Sequence, residues 1–271
     1  MILEYLQYPF IQRAFVAGIV LALLFAILGT YVILRQMAFW GDGIAHASLA
    51  GIALALYTGF NPLLVAVIVS IIFAILIFIL ERKTNLSNDA LIGVLFTSFM
   101  ALGVVILSLN KGYQPELLSF LFGNILAIGT FDLFIIISLG ALIIIFLLIF
   151  QKQLSLLLFD RTSAYLAGIK TGRLELVYYI VLAVSVVLGV KMLGVVLVSA
   201  LLILPASIAK LLAASFSSLR NISIFVAEFI VIVGMIVSLY FNLPTGPSII
   251  LTGSIIFVLI NLLKIKLLVK K

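Results

Sequence analysis

The stretch Phe39-Trp-Gly-Asp42-Gly-Ile-Ala-His46-Ala-Ser-Leu-Ala-Gly-Ile-Ala-Leu-Ala55 sets the reading of the whole chain. It is apolar and small-residued except for a carboxylate and the chain's only histidine, one helical turn apart. In hydrocarbon such a pair is costly and is rarely left facing lipid; it faces protein or an aqueous ion path. Residues four apart share a helix face, so Asp42 and His46 form one stripe that continues through Ala50. Gly43, Ala47, Gly51 and Ala55 form a neighbouring stripe that lets another helix come close. Counted from Gln36, the helical rise sets His46 about 15 Å along its span, near half the hydrocarbon thickness.

A neutral imidazole with a carboxylate and no sulfur suits a borderline divalent cation such as zinc or manganese. Two such ligands are too few for a closed structural site. Weak, incomplete coordination is what a transport path needs, because an ion held too tightly cannot leave. The competing structural reading has His46 bonding Asp42 or a backbone carbonyl merely to brace a bundle.

Outward from this stretch the composition is uniform. Apolar residues make up 66% and charged residues 9% of 271 positions, a balance no water-soluble domain of this size tolerates. No long polar segment is set aside, so residues 1–271 read as one all-α, polytopic membrane domain. The absence of cysteine excludes disulfides, thiolate metal ligands and cysteine nucleophiles. Met1 to Gln12 reads as an interfacial lead-in, and the apolar run after it as a retained span with no cleavage signal. Spans are expected at Ala14–Leu34, Gln36–Tyr57, Pro62–Leu80, Ala90–Leu109, Phe131–Phe150, Leu174–Val190, Gly194–Ala214, Ile222–Phe241 and Pro247–Leu263. The weaker stretch from Tyr113 to Thr130 is too short to cross alone and reads as re-entrant or interfacial.

The formal net charge is +7. Placing the polar connection from Gln151 to Arg173 in the cytoplasm puts most basic residues inside, from Arg35, Arg82 and Lys83 to Lys270 and Lys271. Arg13, Lys111 and Lys191 are left outside. That bias is the positive-inside pattern; it favours nine spans, or eight if one is broken or peripheral, with the N-terminus outside and the C-terminus in the cytoplasm. The same scatter over several loops excludes a continuous basic stripe for nucleic acid.

Other positions carry candidate roles. Ser87 or Asp89 caps the fourth span, with a gating role for Asp89 as the alternative. Glu228, inside the eighth span, either snorkels, stays protonated or faces the path. Pro205 removes an amide bond from the seventh span and should kink or break it, for packing or to free carbonyls for a cation. Pro244, Gly246 and Pro247 mark the outer turn before the last span. Phe159 to Gly168 reads as a short cytoplasmic helix with Asp160 as its N-cap and Gly168 as its terminator. With Tyr165 and Leu166 exposed, it suits a partner's groove or is an ordinary loop helix.

Taken together, these segments resemble the metal-ion permease family of ABC importers, the zinc and manganese uptake type. Gly41-Asp42-Gly43-Ile44-Ala45-His46-Ala47-Ser48-Leu49-Ala50-Gly51 is similar to the family's Gly-Asp-x-x-Ser-His-Ala-x-x-Pro-Gly stretch. Asp89-Ala-Leu-Ile-Gly93, Leu118-Ser-Phe-Leu-Phe-Gly-Asn124, Ser199-Ala-Leu-Leu-Ile-Leu-Pro-Ala206 and Pro244-Thr-Gly-Pro247 resemble further family stretches in the same order. Ala45 departs from the usual serine, Ala50 from the usual proline, and Asn242 from an acid often found there.

The resemblance implies an ABC importer permease, a homodimer in a prokaryotic inner or plasma membrane. It would transport zinc or manganese, possibly iron, with no permanently bound cofactor. Asp42 and His46 would meet the ion, and an extracytoplasmic metal-binding protein would deliver it. Two cytoplasmic ATPase subunits would dock on the helix around 159–170, at Asp160, Ala164, Tyr165, Leu166 and Gly168. No phosphate loop of the Gly-x-x-x-x-Gly-Lys-Ser/Thr kind occurs in the chain, in keeping with ATP hydrolysis by a separate polypeptide and a non-enzymatic role here. The alternatives are a cation channel or secondary transporter that uses Asp42, His46 and Glu228 without ATP, and, less favoured, an intramembrane metalloenzyme.

Overall fold

The computed structural model describes residues 7–109, 123 and 125–269. Among them every regular element is helical. The helices are α1 (Pro9–Leu34), α2 (Trp40–Thr58), α3 (Pro62–Lys83), α4 (Asn88–Leu109), α5 (Thr130–Ile149), α6 (Gln151–Phe159), α7 (Arg161–Leu166), α8 (Thr171–Leu193), α9 (Val195–Leu212), α10 (Phe216–Phe241) and α11 (Thr245–Val269), with a 3-10 turn at Ile125–Ala127. Eight of them, all but α2, α6 and α7, are long and apolar enough to cross a membrane. α2 has the length, at 19 residues, but Asp42, His46 and its glycines dilute its apolar character; protein walls it instead, with Trp40, Ile44, Ala47, Ala50 and Ile52 all buried. Apart from Gly123, the motif Leu118 to Asn124 lies outside the described residues, as does most of the Tyr113 to Thr130 stretch.

Three boundaries differ from the sequence reading. Pro9 opens α1, so the chain is helical from there on, before the expected start at Ala14, as suits a residue with no amide to donate in a first turn. Gln36 takes a left-handed φ of 57°, which separates α1 from α2 and delays the second helix to Trp40. His46 therefore lies only about 9 Å from the start of α2, not at the expected 15 Å. The connection from 151 to 173 is mostly helical, as α6 and α7.

The described helices gather into two compact units. One holds residues of 34–123 and 146–198, the other residues of 1–33, 124–145 and 199–271.

In the first unit α2 packs between α3 and α4. A Cβ on Gly51 would lie 2.7 Å from the Ala66 Cα of α3, and one on Gly43 would meet Ile92 of α4 and Phe73 of α3. Gly103 of α4 backs onto Ala50. The small-residue stripe thus does what its spacing implies: it brings two neighbours against the helix that carries the polar pair.

In the second unit α10 and α11 pack together, and α9 runs unbroken through Pro205. Of the kink or break expected there, a break does not occur; the proline still deprives the Leu201 carbonyl of its helical partner. Gly29 of α1 lies so close to the Leu202 carbonyl that no larger residue fits there. Asn242 ends α10 in the left-handed region at φ 52°, which asparagine tolerates, and Pro247 sits in the first turn of α11. α4, α5 and α11 leave Val94, Val105, Phe134, Leu142, Leu251 and Ile255 exposed, a coat suited to hydrocarbon and a hazard in water.

Candidate metal-ion site

Asp42 and His46 project from the first two turns of α2 into a cavity of about 400 Å³. Its other lining residues are Phe39 and Gly43, together with Asp89, Ile92, Gly93 and Phe96 from α4. Both helices direct their N-terminal ends here, where the helix dipole presents partial positive charge. The two carboxylates are what make such a place hospitable to a cation.

His46 Nδ1 lies 2.9 Å from the backbone carbonyl of Asp42. A carbonyl only accepts, so in the neutral ring Nδ1 carries the proton and Nε2 keeps the lone pair that a metal requires. The ring stands edge-on to Phe96, centroids 4.7 Å apart, which fixes its plane. The histidine is oriented by the backbone carbonyl of Asp42. Among the described residues no group of three or more His, Asp or Glu side chains is close enough to hold an ion. The site in one chain is open and partial. Ala45, which departs from the family's serine, is buried and is not among the lining residues.

The remaining candidates fall in different places. Ser87 accepts from the Ala90 amide and is the cap of α4, which leaves exposed Asp89 to line the cavity. Glu228 and Pro205 belong to the other unit. Glu228 is half-buried on α10, and its Oε2 has no hydrogen-bond partner among the described residues.

The short helix is built as its termini imply. Asp160 accepts from the Thr162 amide at 2.8 Å and from the Ser163 hydroxyl. The Ser163 bond, more than any other contact, holds the Asp160 carboxyl below its ordinary range. At the other end Ile169 N–H bonds the Ala164 carbonyl and Gly168 N–H the Tyr165 carbonyl, with Gly168 at φ 80°. That pair of bonds is a Schellman motif, and it requires the left-handed residue. Tyr165 and Leu166 are 70% and 78% exposed, so α7 presents a small apolar face. Ala164 is fully buried and faces the protein.

Sequence reasoning missed Glu175. It lies in the first turns of α8, and its side chain is only 2% exposed. It accepts from Arg35 at 2.5 Å and Arg82 at 3.0 Å, and pairs with Arg161 at 3.4 Å. Arg35 also donates to the Tyr179 hydroxyl, which donates to Glu81 at 2.7 Å. The available signal was an acid opening a span on the side where the arginines had been placed. Its partners are far apart in sequence, so spacing alone did not reveal them.

Helices throughout the described residues, eight of them long and apolar enough to cross a membrane, and an acid and a histidine in a partial cavity define a polytopic membrane permease. The chain belongs to the ABC 3 transport family, whose model matches residues 7–264. It is 34% identical over 261 residues to the manganese import system permease protein ScaB of Streptococcus gordonii, covering 95% of this chain and 94% of that one. It is also 34% identical over 247 residues to the high-affinity zinc uptake system membrane protein ZnuB of Haemophilus influenzae, covering 91% and 94%. Among solved structures, PsaBC from Streptococcus pneumoniae in complex with Fab matches with a TM-score of 0.83 at 32% identity, covering 96% of this chain and 95% of that one.

Proposed function

We propose that this chain is the membrane-spanning permease subunit of an ATP-driven importer for divalent metal ions, zinc or manganese. The observation that carries the reading is the cavity in which Asp42, His46 and Asp89 meet, with the imidazole already oriented to offer Nε2. Two protein ligands leave half of a tetrahedral zinc shell to water or to a second copy of the chain, so the ion is met without being trapped.

Both compact units work as one permease domain, and two copies form the pathway; with α2 as a ninth crossing, walled by protein, the N-terminus is outside and the C-terminus in the cytoplasm. An extracytoplasmic metal-binding protein delivers the ion. A pair of separate ATPase subunits docks on α7 through Tyr165 and Leu166, while Asp160 and Gly168 hold that helix in shape. Asp89 tunes entry to the cavity, and Glu228 and Pro205 act in gating from the other unit. The transported ion is substrate, and no resident cofactor takes part.

The test is uptake into vesicles that contain the whole complex, with the proton gradient collapsed. Zinc or manganese should accumulate only when ATP is supplied to the cytoplasmic face. Accumulation without ATP would contradict the reading.

A further inference from the structure

We propose that Arg161 and Glu175 form the link through which movement of α7 reaches the start of α2, and hence the metal-binding pair; this rests on the docking reading of α7. Arg161 is the first residue of α7, and Glu175 sits near the start of α8. From Glu175 the contacts lead to the cavity. Arg35, paired with the same carboxylate, donates to the Tyr179 hydroxyl at 2.9 Å. The Tyr179 ring lies against Trp40, centroids 4.3 Å apart. Trp40 is fully buried and opens α2, two residues before Asp42.

The three arginines are not equivalent. Arg35 is close and 14% exposed; Arg82 is held from two further sides, stacked 4.0 Å over the Phe78 ring and packed over Gly172, where a Cβ would lie 3.0 Å from its guanidinium. Arg161 makes the longest of the three pairs, 3.4 Å, and is half exposed. Arg35 and Arg82 keep the buried carboxylate neutralised whatever α7 does, while the Arg161 contact is the arm that can be made and released. Because the interior is packed, a discrete change at this arm moves whole side chains and does not dissipate gradually. Arg161 and Glu175 are positioning residues: neither lines the cavity.

The test uses the full complex in vesicles and reads three quantities: ATPase subunit retained, ATP hydrolysed, and metal imported per ATP. Arg161→Gln cuts the arm without leaving Glu175 unpaired. It should keep the ATPase subunit bound and ATP turnover near wild type, while metal imported per ATP falls by at least about fivefold, the scale of an ordinary coupling energy. Arg161→Lys, which restores the charge, should recover much of the loss. Unchanged metal per ATP in Arg161→Gln overturns the link. So does loss of the bound ATPase subunit in that variant, which would make Arg161 a docking residue, or a proportionate fall of hydrolysis and uptake, which would make it merely structural. Leu166→Asp examines docking separately: it should strip the ATPase subunit, and its retention overturns the docking reading, not the measured role of Arg161.

Discussion

The cavity at Asp42 and His46 and the ion cluster at Glu175 lie in the same compact unit and solve opposite problems. Each places acid side chains at helix starts, but one is kept open and the other sealed. In the cavity the imidazole is fixed by a backbone carbonyl, leaving Nε2 available, and Asp89 is exposed. At Glu175 three guanidiniums from separate elements converge on one carboxylate that is all but removed from solvent. A site that must release its ion keeps few ligands and water access. A joint that must hold its elements together satisfies every charge it buries.

The largest expected effect separates the two. His46→Ala should lower metal uptake by about 100-fold or more, since it removes one of the two proposed ligands, while the complex assembles and melts as wild type. A loss of assembly in size-exclusion chromatography would make His46 structural and erase the contrast. Glu175→Ala should do the reverse. It takes the carboxylate away from the largely buried Arg35 and from the more exposed Arg82 and Arg161, and destabilisation of up to about 3 kcal/mol is expected, read as a lowered thermal midpoint in detergent. Asp89→Asn tests how wet the cavity is. An exposed carboxylate contributes up to ~1 kcal/mol, so the apparent affinity for the cation should weaken by no more than about fivefold with the maximal rate kept.

The smallest effects concern α7. Gly168→Ala forces a side chain into a left-handed φ and should cost about 1 kcal/mol locally, visible as faster amide exchange in α7. The Asp160 cap should show a pH dependence in the same experiment. Its carboxyl is held below the ordinary range in the folded state, so its contribution is present above that range and is lost as the pH falls through the lowered value. The protection of the Thr162 and Ser163 amides, measured relative to their intrinsic exchange rates at each pH, should therefore fall in acid and stay flat from neutral pH upward.

Much of this arrangement was legible in the amino-acid order because it is local. Spans follow from runs of apolar residues, the small stripe of α2 from four-residue spacing, and the ends of α7 from Asp160 and Gly168. Asp42 and His46 stood out because ionisable groups are rare within an apolar run. What stayed hidden depends on contacts between distant segments. Arg35, Arg82 and Arg161 each looked like a loop charge that sets orientation, and nothing in their spacing joins them to Glu175. Asp89 was weighed mainly as a cap; it is free to line the cavity because Ser87 performs that task. Pro205 could either kink or break its helix by the sequence; the helix is not broken, because a long helix packed closely against Gly29 absorbs one lost amide bond.

The most direct test of the central claim is metal-edge X-ray absorption on the complex loaded with zinc. The account predicts imidazole nitrogen at about 2.0–2.1 Å from the metal, and the disappearance of that signature in His46→Ala. Spectra that are the same with and without His46 would contradict it.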